Sequence, residues 1–207
     1  SLYSGGRPRH AQLLLPLARE ALAQAGAAFA DVDRVVVGTG PGSFTGLRIG
    51  VATARALALG AGAQIAGVST LRVLAEAAEA DAPAGTVVAP VLDARRGEVF
   101  VAAWRDGTPV LAARAVAPDA VAAAAADAAA PGPAGWLAAG DGAVRFRGIL
   151  ETAGMSVPVD DSPLHRVSAT TLARLGARAD PSPRGDVVPE YLRLPDAELA
   201  LRTRPER

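Results

Sequence analysis

Val35-Val36-Val37-Gly38-Thr39-Gly40-Pro41-Gly42-Ser43-Phe44-Thr45-Gly46-Leu47-Arg48-Ile49-Gly50 decides the fold of this chain. Three consecutive β-branched residues predict a buried strand. The Gly/Pro-rich segment predicts a turn, and the Ala/Leu run that leaves it predicts a helix to about Leu59. A strand, a glycine loop and a helix in series can offer backbone N–H groups to an anion. A Walker loop requires a lysine, and the chain contains none. The dinucleotide fingerprint requires glycine at its first, third and sixth positions. The sixth residue is Ser43 counted from Gly38 and Thr45 counted from Gly40, and no acid follows where Leu57, Ala58 and Leu59 stand. The segment therefore reads as a tight strand-to-helix connection with Ser43 or Thr45 as N-cap.

The helix carries a second pattern. Gly46, Gly50, Ala54 and Ala58 recur every fourth residue as a ridge of small side chains, with Leu47, Val51 and Leu57 beside it. Glycine inside a helix costs about 1 kcal/mol relative to alanine, so close packing is expected to offset it. Spacing alone allows two partners for the ridge: the domain's own sheet, or a helix of another subunit.

Composition narrows the function classes. Half of the 207 residues are apolar, enough for a sizeable core. Lys+Arg and Asp+Glu both count 21, so no net charge draws the chain to nucleic acid or a membrane. Every basic side chain outside the two histidines is arginine, asparagine is absent and alanine abundant. That is the coding bias of a GC-rich genome, so arginine in place of lysine carries little functional information. The absence of cysteine excludes disulfides, thiol catalysis and cysteine–metal sites. No long unbroken apolar run and no signal peptide stand in the sequence, and a cytoplasmic protein is expected.

Along the chain, residues 1–8 read as polar and turn-like, and the opening strands usual in an α/β domain are expected to be missing before them. His10–Ala25 predicts a helix with an apolar face of Leu13, Leu14, Leu17, Ala21, Leu22 and Ala25, a break or late start at Pro16, and Gly26 as C-cap. Ala63–Val68 reads as a strand, capped into a following helix by Ser69-Thr70. Asp81–Gly85 reads as a domain boundary, giving domains 1–82 and 83–207. Thr86–Leu92 and Glu98–Trp104 flank a charged hairpin tip, and Val110–Val116 adds a strand. Helices are expected at Pro118–Ala130, Val144–Ala153 and Ser168–Arg178, a strand at Trp136–Ala139, and an extended tail from Val187 to Pro195.

The catalytic inventory is thin. His10 and His165 are far apart, and neither has a second histidine at helical spacing. Ser43 lacks the flanking glycines of a nucleophile elbow. Asp93 and Glu98 are expected to be solvated, balanced by Arg95 and Arg96. Asp141 is expected as a turn residue, and Asp160-Asp161 as a solvated loop.

The run Gly38-Thr39-Gly40-Pro41-Gly42-Ser43-Phe44-Thr45-Gly46-Leu47-Arg48 resembles the signature of the bacterial TsaB (YeaZ) family. His10–Pro16, Asp93–Phe100, Gly140–Ala143 and Pro189–Arg193 resemble further segments of it in the right order. The resemblance implies an α/β fold of two ribonuclease-H-like lobes, as in actin, sugar kinases and heat-shock ATPases, the first lacking its opening strands here. It implies a role in making threonylcarbamoyladenosine in tRNA, as a non-catalytic dimerisation and scaffold subunit beside the catalytic TsaD subunit. TsaD binds metal through a His-x-x-x-His pair, and Leu14 stands where the second histidine would be.

The resemblance also implies association through the first two helices, with TsaD or with a second copy. The implied interface is His10, Leu13, Leu14, Leu17, Ala21, Thr45, Gly46, Leu47, Gly50, Val51, Ala54, Leu57 and Ala58. A TsaE-type ATPase is a further implied partner, tRNA is met only indirectly within the complex, and no membrane is implied. No catalytic, metal or cofactor residue is implied for the chain alone, while ATP or ADP has a place at the junction with the partner. The competing reading is an ATP- or metal-dependent enzyme of the same fold, kinase-like or glycoprotease-like.

Overall fold

The computed structural model describes residues 10–128 and 135–193, with the backbone alone at 10–12 and 126–128. Expectations for residues 1–8, for the Pro131–Pro133 helix stop and for the tail beyond Arg193 lie outside the described residues. Two compact units are present. One comprises the chain as far as Thr39, Ser43–Val68 and Leu172–Pro189, and the other Gly40–Gly42, Ser69–Thr171 and the chain from Glu190.

The units do not divide at residue 82. Helix α3 (Thr70–Asp81) puts Ala75 and Ala78 against Val88 and Ala139 of the second unit, so its apolar face belongs there. The Pro83–Gly85 segment is a turn, with Thr86 N–H donating to Pro83 O at 3.1 Å. It joins α3 to the next strand of the same unit.

In the first unit, strand β1 (Arg34–Gly40) pairs with β2 (Gln64–Ser69). Helix α2 (Phe44–Gly60) lays Val51, Ala54 and Ala58 on Val37, Ile65 and Val187 to form the core. Helix α1 (His10–Gln24) continues through Pro16. It ends as expected at Gly26, whose φ of 67° lets Ala27 N–H reach back to Leu22 O at 2.9 Å.

Helix α7 (Ala169–Arg178) leads back into this unit. The Arg34 guanidinium donates to the carbonyls of Gly176, Ala177 and Ala179 at 2.9, 3.0 and 2.8 Å. It thereby satisfies acceptors that a helix C-terminus leaves open. Gly176 lies so close to β1 that a Cβ there would fall 2.2 Å from Val36 Cγ1.

The second unit is a mixed sheet built on β3 (Val87–Arg95). The antiparallel strands β4 (Glu98–Arg105) and β5 (Thr108–Val116) lie on one side. The parallel strands β6 (Trp136–Ala139) and β7 (Met155–Ser156) lie on the other, in the order β5-β4-β3-β6-β7. Val87–Val91 is buried without interruption, as a strand covered on both faces requires. Val87, Ala89 and Val91 meet Val121, Ala143 and Leu150 on one face, while Val88 meets α3 on the other. Helix α4 (Ala120–Ala128) packs on β5.

The helix expected over 144–153 is two short ones, α5 (Asp141–Arg145) and α6 (Arg147–Thr152). They part at Phe146, whose backbone is not helical. The short β7 carried no alternation from which to foresee it.

Substituting Gly176→Ala drives a methyl into Val36, and about 1–3 kcal/mol of stability should be lost. Urea unfolding checks this, and an unchanged midpoint would contradict the close packing of α7 on β1.

Candidate functional site

Helix α2 begins at a cap that the sequence foresaw. Gly46 N–H donates to Ser43 Oγ at 3.2 Å, and Leu47 N–H to Ser43 O at 2.9 Å. One N–H of the helix start that could have met a phosphate oxygen is therefore occupied by the chain's own serine. Ser69 and Thr70 do not cap α3 with their side chains. Their hydroxyls donate instead to Gly40 O at 3.2 Å and Pro41 O at 2.5 Å, tying down the glycine loop.

The small-residue ridge divides between two environments. A step of four residues turns a helix by about 400°, so such a ridge drifts about 40° per step and about 120° from Gly46 to Ala58. Its later half swings into the core: Ala54 and Ala58 are buried there with Leu47 and Val51. These four were expected at a partner surface. Val51, Ala54 and Ala58 instead cover the first unit's own sheet, and Leu47 is buried on the same stripe, which takes all four out of a partner's reach.

The earlier half points elsewhere. Gly46, Gly50, Thr53 and Leu57 share a half-buried face. A Cβ built on Gly50 meets no atom within 4 Å. Nothing inside the unit therefore requires glycine at that position. Thr45 is exposed at the helix start.

Helix α1 runs beside α2. Leu13 and Leu17 are half-buried, Leu14 and Leu15 are 37% and 45% exposed, and Ala21 is exposed. No described side chain of α1 is buried, and none joins the unit's core. The side chain of His10 lies outside the described residues. Phe44, missed as a candidate, is 40% exposed at the mouth of α2 with the Arg48 guanidinium 3.9 Å over its ring. Its signal was a large aromatic at the first helical position, where no core contact was foreseen.

The polar candidates are engaged within the second unit. His165 is buried, with Nδ1 3.1 Å from Gly140 N, and Nε2 3.1 and 3.2 Å from the carbonyls of Val159 and Pro158. The tautomer with its proton on Nε2 lets Nδ1 accept from Gly140 N–H and Nε2 donate to those carbonyls. Arg147 holds Glu151, Asp160 and the carbonyls of Val157 and Pro158, so Asp160 is paired even though exposed.

Gly140 and Gly142 bring their turn against the backbone of β3. A Cβ on Gly140 would stand 2.3 Å from Val91 O. Asp141 accepts from Asp93 N–H at 3.0 Å. Among the described residues, no group of three or more His, Asp or Glu is placed to hold a metal ion. No described helix is long and apolar enough to cross a membrane.

Asp93 is not a solvated end, whereas the Glu98 side chain is 39% exposed. The Asp93 side chain is 6% exposed, with Arg145 Nη1 2.7 Å and Arg95 Nη1 3.2 Å from Oδ2. Arg95 N–H donates to Oδ1 at 2.9 Å. Burial pushes its pKa up. The Arg95 N–H bond, the Arg145 bond and the two guanidinium charges outweigh that and hold the carboxyl below its usual range. Glu98 accepts from Arg193 at 2.6 Å.

Comparison with known proteins places this geometry. A family model described as TsaD, tRNA N6-adenosine threonylcarbamoyltransferase, matches residues 6–157. The tRNA threonylcarbamoyladenosine biosynthesis protein TsaB of Escherichia coli is 43% identical over 96 residues, covering 46% of this chain and 41% of that protein. An uncharacterized protein of Mycobacterium tuberculosis is 39% identical over 192 residues, covering 91% of this chain and 77% of that one. The solved structure of YeaZ from Pseudomonas aeruginosa superposes with a TM-score of 0.70 at 30% identity, covering 90% of this chain and 87% of that one.

The Asp93 arrangement has a pH signature. Its folded pKa lies below the ordinary value of 3.8, so its contribution is complete above 3.8 and is lost as pH falls through the folded pKa. Asp93→Asn should therefore lower stability at neutral pH and flatten the loss of stability below about pH 4, measured by urea midpoints across pH. Parallel curves for the two proteins would contradict it.

Proposed function

The chain belongs to the TsaB (YeaZ) family, and from that premise we propose that it is a non-catalytic scaffold subunit. It binds and supports the TsaD-type transferase that delivers threonylcarbamoyl to tRNA. The named relatives are tRNA threonylcarbamoyladenosine biosynthesis proteins. The surface that serves is the outer face of α1 with the Gly46–Gly50 face of α2.

One observation carries the proposal. Helix α1 is rich in leucine, yet no described side chain on it is buried, and next to it stands a helical glycine with open space where a side chain would be. Apolar surface of that kind stabilises an association when it leaves water, and a glycine lets a partner backbone come close. The non-catalytic reading is supported by Leu14, at the place of the second metal-binding histidine in the catalytic relatives. It is also supported by the internal engagement of Asp93, Asp141, Glu98 and His165.

The same face serves a second copy of the chain, so homodimer and heterodimer compete for it. A TsaE-type ATPase joins the pair, and ATP or ADP sits at a junction with a partner. The glycine loop does not fit a nucleotide phosphate by itself, since Ser43 takes the Gly46 N–H.

Gly50→Arg tests the surface. The monomer should keep its thermal midpoint within a few degrees, because no atom lies within 4 Å of the new Cβ. Association with the TsaD-type subunit and with itself should weaken about tenfold or more, read by gel filtration and calorimetry. Undiminished binding by a folded variant would show that the partner sits elsewhere.

A further inference from the structure

The β3–β4 hairpin ends in a turn whose backbone does not suit its residues. Arg95↔Glu98 is the last registered pair, which leaves Arg96-Gly97 as the turn. Arg95, Arg96 and Gly97 all have left-handed φ, at 65°, 54° and 78°. A two-residue turn of this type favours Asn-Gly or Asp-Gly, because short polar side chains tolerate the left-handed region and arginine does not.

The same sheet shows the ordinary solution one hairpin later. Asp106-Gly107 turns β4 into β5 with φ of 49° and 78°, and Asp106 Oδ1 accepts from Gly85 N–H at 3.0 Å. Backbone strain that persists is over-determined by its surroundings. Here the register shift between Asp93 and Arg95 and the buried Asp93 carboxylate, bonded to Arg95 N–H, fix the turn.

What the strain displays is charge. The Arg95 side chain is 79% exposed and Arg96 is exposed beside it. Arg145 on Asp93 and Arg193 on Glu98 stand behind them. Asp93, buried below the tip, takes Arg95 Nη1 at 3.2 Å and Arg145 Nη1 at 2.7 Å, so one carboxylate there faces two guanidinium groups.

We propose that this tip is an RNA contact, Arg95 and Arg96 pairing with backbone phosphates of the tRNA held by the assembled complex. The inference rests on the function proposed above. A guanidinium fork matches phosphate geometry, and a side chain on a fixed turn loses little freedom on binding. The zero net charge of the chain means that the tip positions RNA and does not attract it from a distance.

The test uses the complex of the full chain with its TsaD-type partner, a tRNA transcript as probe, and filter binding across a salt series. Arg96→Asn removes the cation while supplying the residue the turn prefers, so loss of folding cannot explain a loss of binding. Its thermal midpoint should rise. Its RNA affinity should fall severalfold, and the slope of log affinity against log salt should drop by about one. Arg96→Lys should keep that slope.

Unchanged affinity and slope in Arg96→Asn, with the subunits still associated, would overturn the tip assignment and leave the proposed function standing. A wild-type complex that fails to bind the transcript would overturn the tip assignment and count against the proposed function as well. If Arg96→Asn instead releases the TsaD-type subunit, the tip docks an acidic protein surface and the RNA assignment is equally overturned.

Discussion

Apolar side chains must leave water somewhere, and among the described residues of the first unit that constraint is met on one face of α2 and only in part on α1. Val51, Ala54 and Ala58 close the unit's own core over β1 and β2. Gly46 and Gly50 lie on a face turned away from that core, and none of the described leucines of α1 is buried. A helix of this composition has little reason to persist at the surface unless something covers it. The proposed scaffold role follows from that unfinished burial.

The second unit is built in the opposite manner. Its central strand is buried on both faces, and its glycines at 140 and 142 are pressed on the β3 backbone. Several of its polar groups serve as internal ties. His165 fixes the Gly140 turn, Asp141 holds Asp93 N–H, and Asp93 orders the hairpin tip. Rigidity here is a means of presentation: the ordered element carries exposed arginines in a conformation that their own preferences oppose.

Much of this was legible in the residues. Valine triplets, the Ser43 cap, the Gly26 stop and the hairpin at Asp93–Glu98 are local signals, and each fixes local structure. The ridge was legible only by half. A period of four says that small residues nearly align, but not that the alignment drifts from an open face at Gly50 into the core at Ala58. The domain boundary failed for a related reason: Pro83–Gly85 marks a turn, whereas the unit to which α3 belongs is set by Ala75 and Ala78 meeting Val88. The Asp93–Arg145 pair bridges residues far apart in the chain. No spacing rule could have joined them, so a carboxylate that looked solvated proved to be buried.

Hydrogen exchange on the chain, alone and with its TsaD-type subunit, probes the central claim most directly. Binding should slow exchange along Leu13–Gln24 and Phe44–Leu57, leaving β3–β5 unchanged. Slowed exchange confined to the second unit, with both helices unaffected, would contradict it.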